Sequence, residues 1–273
     1  MLHVEHVSKT FFPGTINEKK ALQDLSLHLE PGDFATVIGG NGAGKSTTLN
    51  AIAGVFPIDK GKIIIDGEDI TKKPEHKRAK YIGRVFQDPM LGTAAGMMIE
   101  ENLSLAARRG ETPGLGWSLS SDQHDRFYEL LKELDLGLED RMTAKVGLLS
   151  GGQRQALTLL MATLKKPEIL LLDEHTAALH PGTAETVVVE RLARALLKAL
   201  KEVGNGHAVA LCACNVHDDV SSVHHERAVA QVERGLHIVR YHHAAYFVFR
   251  NDAFRKLQNL LRRAGLSSRT TLN

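Results

Sequence analysis

A glycine-rich segment that ends in a lysine and two hydroxyl residues is the first place where the chain indicates chemistry. It fits the phosphate-loop pattern G-x-x-x-x-G-K-[ST]. Glycines let successive backbone N–H groups turn toward an anion, the lysine brings a positive charge to the outer phosphates, and the serine hydroxyl can ligate Mg²⁺. The alternative is a glycine-rich turn with an incidental lysine. The predicted nucleotide contacts are Gly39, Gly40, Asn41, Gly42, Ala43, Gly44, Lys45, Ser46 and Thr47.

Two acidic residues follow an apolar run later in the chain. Residues 169–172 read Ile-Leu-Leu-Leu, which is typical of a parallel strand covered on both faces, and Asp173 and Glu174 come next. Because ligands of open α/β sheets bind at the carboxyl ends of strands, Asp173 can hold Mg²⁺ there and Glu174 can polarise an attacking water. Many buried strands end in an acidic residue, so this pattern indicates a nucleotide site only because the chain also has the phosphate loop.

A third segment, Leu-Ser-Gly-Gly-Gln at residues 149–153, lies between the loop and the acids. Ser150 is a suitable N-cap for a helix predicted over residues 154–164, and Gly151 and Gly152 expose backbone N–H groups at its start. This start is a second potential anion site, to which Gln153 also belongs. The alternative is an ordinary capped helix.

The elements that must position these residues follow from the apolar patterns. Residues 34–38 read as a buried strand and residues 46–53 as the helix that opens on the loop. Asp66-Gly67 predicts a hairpin turn, and Ser120-x-x-Gln123 fits a capping box. Further predicted elements are helices over residues 100–109, 121–136 and 183–203 and a strand over residues 207–214.

Over residues 2–178 these motifs resemble the ATP-binding subunit of an ABC transporter. The resemblance identifies the glycine-rich loop as Walker A, residues 149–153 as the signature motif and residues 169–173 as Walker B. It implies that Glu174 is the catalytic glutamate and that Gln87 is a catalytic, Mg²⁺-contacting hinge. It also implies that Phe11, with Phe12 as second choice, stacks on adenine, although either could simply pack in the core.

The resemblance implies an α/β fold and a defined domain organisation. The expected architecture is a P-loop NTPase core with a mixed, mainly parallel sheet, an antiparallel β subdomain and an inserted helical subdomain. We expect the ATPase domain over residues 1–249, the helical subdomain over about 89–164, and a basic amphipathic helix or tail over 250–273. That last segment could lie on an anionic membrane or pack on the domain.

The resemblance also implies the mode of action and the partners. Two copies would pair head to tail around two ATP molecules, with Mg²⁺, and drive an integral-membrane permease served by a substrate-binding protein. The composition agrees with the absence of a nucleic-acid partner. In 273 residues, of which 24% are charged, the net charge is only +2, which gives no general attraction to nucleic acid. The resemblance implies a location at the cytoplasmic face of the membrane, and the lack of an apolar run that could span a bilayer, of a signal-peptide pattern and of more than two cysteines agrees with it.

Two positions depart from the family pattern. His180 replaces an expected aspartate, and Cys214 stands where a histidine normally contacts the γ-phosphate, with His217 three residues further on. Losing one such polar contact typically costs about 10²–10³ in rate, so a hydrolysis-impaired nucleotide-binding protein is the alternative function. A soluble ABC ATPase acting on nucleic acid is a further alternative, but the chain lacks its usual coiled-coil insertion or second cassette.

Two weaker indications remain. Cys212 and Cys214 could form a zinc set with the histidines of the last third, but their spacing matches no common zinc pattern. The sequence around Gln87 and Glu174 is similar to bacterial importer subunits, often those for aromatic amino acids. The transported substrate itself is not encoded in these motifs.

Overall fold

The structure is a computed structural model that describes residues 1–31, 33–39, 42–111, 119–173, 209–215 and 237–241. These residues form nine strands and five α-helices. The strands are β1 Leu2–Phe11, β2 Lys19–Leu29, β3 Phe34–Gly39, β4 Lys60–Ile65, β5 Glu68–Asp69, β6 Ile82–Val85, β7 Ile169–Asp173, β8 Val209–Asn215 and β9 His237–Tyr241. The helices are α1 Lys45–Ala53, α2 Glu75–Arg78, α3 Ile99–Ala107, α4 Ser121–Glu133 and α5 Gly151–Thr163.

One sheet is antiparallel and has the strand order β2-β1-β4-β5. Asp66 and Gly67 join β4 to β5 with φ angles of 48° and 78°. Positive φ at both central residues is the geometry of a tight hairpin turn, which aspartate and glycine tolerate. The predicted turn and the antiparallel β subdomain are therefore confirmed.

The second sheet carries the motif-bearing strands and has the order β6-β7-β8-β3-β9. β6, β7, β8 and β3 run parallel, whereas β9 pairs antiparallel with β3. Parallel neighbours place their carboxyl ends at one edge, and that edge is where ligands of such sheets bind. The predicted mixed, mainly parallel sheet is confirmed.

Strand β7 divides the interior into two hydrophobic cores. Ile169 and Leu171 belong to the core shared with α1 and the antiparallel sheet, whereas Leu170 and Leu172 belong to the core shared with α3, α4 and α5. This division follows from the alternation of side chains along a strand. Apolar burial on both faces explains the unbroken apolar run and fixes Asp173 at the strand's carboxyl end.

The predicted helices and strands that fall within the described residues agree with the structure to within a few residues. α5 begins at Gly151, three residues earlier than expected, and α4 ends at Glu133 rather than at residue 136. The predicted helix over 183–203 and the tail over 250–273 lie outside the described residues. Within the described part of the chain, no helix is both long and apolar enough to cross a membrane.

Candidate active site at the carboxyl edge of the parallel sheet

The carboxyl ends of the parallel strands β3, β7 and β8 bring the glycine-rich loop, the acidic strand end and the Cys214 position to one edge of the sheet. Gly39 ends β3 where the glycine-rich loop starts, and Asp173 ends β7. On β8 between them, Ala213 lies opposite Asp173 and Cys214 lies opposite Ile38. The backbone register alone therefore places the loop, the acidic residue and the Cys214 position side by side.

The glycine-rich loop leads into α1 through a left-handed residue. Gly44 is the N-cap of α1 with φ 94°, and a Cβ at this position would lie 2.8 Å from the carbonyl oxygen of Ala21. Only glycine fits this turn without strain. Among the described residues no side chain caps the start of α1, and the positive end of the helix dipole favours an anion there. Lys45, the first helical residue, is 5% exposed and adds its charge at the same point.

A direct contact joins the loop to the acidic strand end. The Ser46 hydroxyl donates a hydrogen bond to Asp173 Oδ1 over 3.0 Å, although the two residues are 127 positions apart in the chain. Asp173 is 7% exposed. A hydroxyl and a carboxylate are hard oxygen ligands of the kind that Mg²⁺ prefers, so this pair fits the predicted metal site.

Two side chains of the Ser150–Gln153 segment cap the start of α5. Gln153 N–H donates to Ser150 Oγ over 3.3 Å, and Ser150 N–H donates to Gln153 Oε1 over 3.2 Å, which forms a capping box. Gln153 Nε2 also donates to the carbonyl of Leu136 over 3.2 Å. Gly151 is exposed and has open space around its Cα. The N-cap prediction for Ser150 is confirmed, whereas the phosphate contacts of this segment stay predictions.

Gln87 lies two residues beyond the end of β6 and is exposed. Arg84, on β6 three residues before Gln87, is a further residue of this region that the sequence motifs do not indicate. Its guanidinium donates to the side chain of Asn50 on α1 and lies 4.3 Å from the centre of the Phe86 ring. Burial lowers the pKa of Arg84, and the carboxylates of Glu75 and Asp173 oppose that shift, so the side chain keeps its charge. A lone arginine in an otherwise apolar strand is the signal that could have identified it.

Phe11, the predicted adenine-stacking residue, is half-buried at the end of β1. Its ring meets the ring of Phe56 edge to face, with centroids 5.1 Å apart, and Lys9 Nζ lies 5.6 Å from its centre. Lys9 is held by Asp59 Oδ1 over 2.9 Å. Phe12 adopts φ 52° and is exposed. Phe11 thus has a packing partner, and its role toward adenine stays a prediction.

Several predicted site residues lie outside the described part of the chain. Gly40, Asn41 and Glu174 are among them, as are His180 and His217. The zinc alternative depends on the side chains of Cys212, Cys214 and nearby histidines, which are also outside that part. Among the described residues, no group of three or more His, Cys, Asp and Glu side chains could hold a metal ion.

The fold and the site define a class of protein. A glycine-rich loop between a parallel strand and a helix, with its lysine buried and its serine bonded to the acid of a second parallel strand, is the phosphate-binding arrangement of P-loop nucleotide hydrolases. The additional antiparallel sheet and the capped start of α5 restrict the chain to a smaller group within these nucleotide hydrolases.

Comparisons with known proteins identify the family. The family model described as "ABC transporter" matches residues 22–177. A tyrosine transport ATP-binding protein of Clostridioides difficile is 43% identical over 69% of this chain and 74% of its own length. The spermidine/putrescine import ATP-binding protein PotA of Haemophilus influenzae is 35% identical over 66% of this chain, which spans only 44% of PotA.

Solved structures agree with the sequence comparison. A dimeric ATP-binding cassette, MJ0796, in a post-hydrolysis state with ADP and phosphate has a TM-score of 0.64 and 27% identity, over 78% of this chain and 88% of that one. The chain belongs to the ABC transporter family. It is an ATP-binding cassette and, like the other cassettes of this family, an ATPase.

Proposed function

We propose that the chain is the ATP-hydrolysing subunit of an importer, and that it works as a pair of copies on an integral-membrane permease. The observation that carries this proposal is the Ser46–Asp173 hydrogen bond beside the buried Lys45, at the edge where the parallel strands end. The name of the tyrosine transport relative supports an amino acid of the tyrosine type as the substrate, and that of PotA supports import.

The chemistry follows from what each residue offers. Lys45 and the N–H groups at the start of α1 stabilise the negative charge that develops on the phosphates. Ser46 and Asp173, with Gln87 from the segment after β6, would hold Mg²⁺, and the ion would supply positive charge that neutralises part of the charge on the phosphates. Glu174, next after Asp173 in the sequence, orients the attacking water or accepts its proton.

A second copy completes the site in this proposal. The start of α5 presents the exposed Gly151 and the N–H groups of its first turn, which a phosphate can approach. In head-to-tail pairing, this start faces the ATP held by Lys45 and Ser46 of the other copy. Support comes from the related cassette MJ0796, which is dimeric with ADP and phosphate.

An exposed apolar surface supports the permease as a partner. Met90 and Leu91 follow the Gln87 segment, and Leu148 precedes the start of α5; Leu91 and Leu148 are 70% and 71% exposed. Arg154 contacts both Met90 and the carbonyl oxygens of Gly147 and Leu149, so these exposed apolar residues come from neighbouring segments and can form one interaction site. We assign this surface, within the helical subdomain over about 89–164, to the permease at the cytoplasmic face of the membrane, with a substrate-binding protein on the opposite side.

Purification with the native permease tests the assignment. The chain should co-purify with a membrane protein, and the complex in liposomes should hydrolyse ATP faster when tyrosine and its binding protein are supplied. Glu174→Gln should abolish uptake and retain ATP binding. Co-purification with nucleic acid instead of a membrane protein would contradict the proposal, as would full turnover by the Glu174→Gln variant.

A hydrolysis-poor cassette is the second candidate, and the register of β8 favours it. Cys214 lies opposite Ile38, at the edge where a histidine is expected in this family. We expect Cys214→His to raise turnover if this position limits the rate, and Cys212→His, two residues earlier on the same strand, to serve as the matched control. Unchanged turnover in both variants, with brisk hydrolysis by the unmodified chain, would exclude this second candidate.

A further inference from the structure

Arg154 of α5 folds back onto the segment that leads into its own helix. Its Nη2 donates to the carbonyl oxygens of Val146, Gly147 and Leu149 over 3.3, 3.1 and 3.2 Å, and Nε reaches the Val146 carbonyl over 3.4 Å. These residues form the 3₁₀ turn Val146–Leu148 and the residue before Ser150. One guanidinium therefore fixes the direction in which the chain enters the capping box.

The same side chain also reaches the turn that follows Gln87. Arg154 Nη1 contacts Met90 Sδ, and that turn is held by a hydrogen bond from Met90 N–H to Asp88 Oδ1 over 2.8 Å. A backbone hydrogen bond from Gly147 to Ala95, over 2.9 Å, ties the two segments a second time. Arg154 thus joins the segment after β6 to the segment before α5.

Electrostatics favour a specific role over general packing. The N-terminal turns of a helix carry the positive end of its dipole, where a cation is disfavoured. The carbonyl oxygens around Arg154 offset this cost because hydrogen bonds to a charged group are stronger than neutral ones. The positive charge of Arg154 is therefore held by the segment that leads into the helix start where the proposed phosphate arrives.

We infer that Arg154 is a positioning residue for closure of the ATP-bound dimer. It holds the Val146–Leu148 turn and Leu149 so that Ser150, Gly151 and Gly152 meet the phosphate on the second copy. This inference rests on the proposed function, because it requires that the start of α5 meets ATP across a dimer. Arg154 acts through the helix start, so ATP binding to a single copy does not depend on it.

The test compares dimer formation with ATP binding in a background that retains ATP. Glu174→Gln, alone or combined with Arg154→Ala or Arg154→Lys, is titrated with ATP and Mg²⁺ while sedimentation reports dimer formation. Fluorescent ATP binding at a protein concentration below dimerisation reports the single copy. Arg126→Ala, an exposed arginine on α4, is the matched control. Lysine keeps the positive charge but replaces the planar guanidinium, whose five donors have fixed directions, by a compact ammonium that cannot reach the same set of acceptors.

We expect Arg154→Ala to raise the ATP concentration for half-maximal dimer about 10- to 100-fold, since each closed dimer contains two α5 starts. Arg154→Lys should give a smaller increase, Arg126→Ala none, and monomer ATP binding should be the same in all four proteins. Equal dimerisation by Glu174→Gln with and without either Arg154 substitution would overturn the inference. No dimer with Glu174→Gln alone would instead overturn the proposed function. If Arg154→Ala lowers the melting temperature, the lysine variant alone decides.

Discussion

Helices α1 and α5 both present their N-terminal ends to phosphate in this account, but their starts are satisfied differently. Gly44 is the N-cap of α1, and no described side chain caps this start. Ser150 and Gln153 cap α5 reciprocally before any ligand arrives. This difference agrees with the proposal that α1 holds the nucleotide within one copy, whereas the start of α5 meets the nucleotide of another copy.

The two helices also end differently. The fully buried Arg78 Nη1 donates to the carbonyls of Ala51 and Ile52, both over 2.9 Å, in the last turn of α1. Its Nη2 and Nε donate to the carbonyls of Thr71 and Lys73 over 2.8 and 2.7 Å. A cation at the negative end of a helix dipole is favourable, and this one also connects α1 to the chain after β5.

Arg109 likewise donates to carbonyl oxygens at the end of α5, but it makes fewer hydrogen bonds than Arg78. Its Nη1 donates to the Ala162 carbonyl over 2.8 Å and its Nη2 to that of Lys165, while Nε is buried with no hydrogen-bond partner. Burial lowers the pKa of both Arg78 and Arg109. Arg78 therefore makes more hydrogen bonds around the end of α1 than Arg109 makes around the end of α5, and we expect the end of α1 to be the more stable of the two.

The largest effect is expected at the start of α1. Lys45→Ala should lower turnover about 10²–10³-fold and weaken ATP binding to the single copy, because a positioned charge at the phosphates is removed. Equilibrium binding of fluorescent ATP and a phosphate-release assay measure both. Lys166→Ala, at an exposed lysine after α5, should change neither. Unchanged ATP binding by the Lys45→Ala monomer would remove the basis for separating the two helix starts.

The helix ends should differ in stability. Arg78→Met leaves four carbonyls without their donors and should cost about 3–4 kcal/mol of unfolding free energy, and Arg109→Met, which leaves two, about 1–2 kcal/mol. Urea unfolding of the two variants beside the unmodified chain measures this. An equal or larger loss from Arg109→Met would show that α5 is fixed as firmly as α1.

The capping role of Ser150 can be tested separately from the proposed contact of α5 with ATP. Ser150→Ala should cost about 1 kcal/mol of stability, as should Ser120→Ala, which removes an equivalent capping box on α4 with the same distances of 3.2 and 3.3 Å. Only Ser150→Ala should also weaken ATP-dependent dimerisation, measured by sedimentation in the Glu174→Gln background. Matching dimerisation by both variants would mean that the Ser150 cap has no role beyond its own helix.

The smallest effect concerns pH and the segment after α1. The Thr10 N–H, over 2.6 Å, and Lys9 lower the pKa of Asp59. A carboxyl whose pKa is lower in the folded state stabilises above its ordinary pKa, and this contribution is lost as pH falls through the folded value, here below about pH 4. Because the side chain is 41% exposed, screening limits the contribution to roughly 1 kcal/mol or less.

Asp59→Asn should therefore lose less stability than the unmodified chain between pH 5 and pH 3. Urea unfolding at the two pH values measures the difference. The same loss of unfolding free energy in both proteins would show that the ion pair between Asp59 and Lys9, the lysine that lies over the Phe11 ring, contributes nothing to stability.

Local chemistry explains which features were predictable. The glycine-rich loop, the hairpin turn at Asp66-Gly67 and the capping box at Ser120 depend on residues adjacent in sequence, and all three elements are where the pattern placed them. Arg78 and Arg109 bond to helix ends 26 and 53 residues earlier or later, so no local pattern marks them.

Arg154 shows a different limit. It follows the predicted segment directly, and its position on α5 was expected, but its partners lie in an irregular turn before the helix and in the turn at Met90. Side-chain direction at a helix start depends on that turn, which hydrophobic periodicity does not describe. The phosphate roles of Ser150, Gly151 and Gly152 stay predictions because they require a second copy.

Sedimentation of Glu174→Gln with and without Gly151→Asp tests the central claim most directly. A Cβ at Gly151 would meet no atom within 4 Å, and the residue is exposed, so we expect an aspartate there to add a carboxylate to the proposed phosphate site without disturbing the fold. Gly96→Asp, at an exposed glycine with equally open space, is the matched control. We predict dimers with ATP for Glu174→Gln alone and with Gly96→Asp, and monomers that still bind ATP with Gly151→Asp. Dimers at the same ATP concentration in all three proteins would contradict the claim that α5 meets the nucleotide of a second copy.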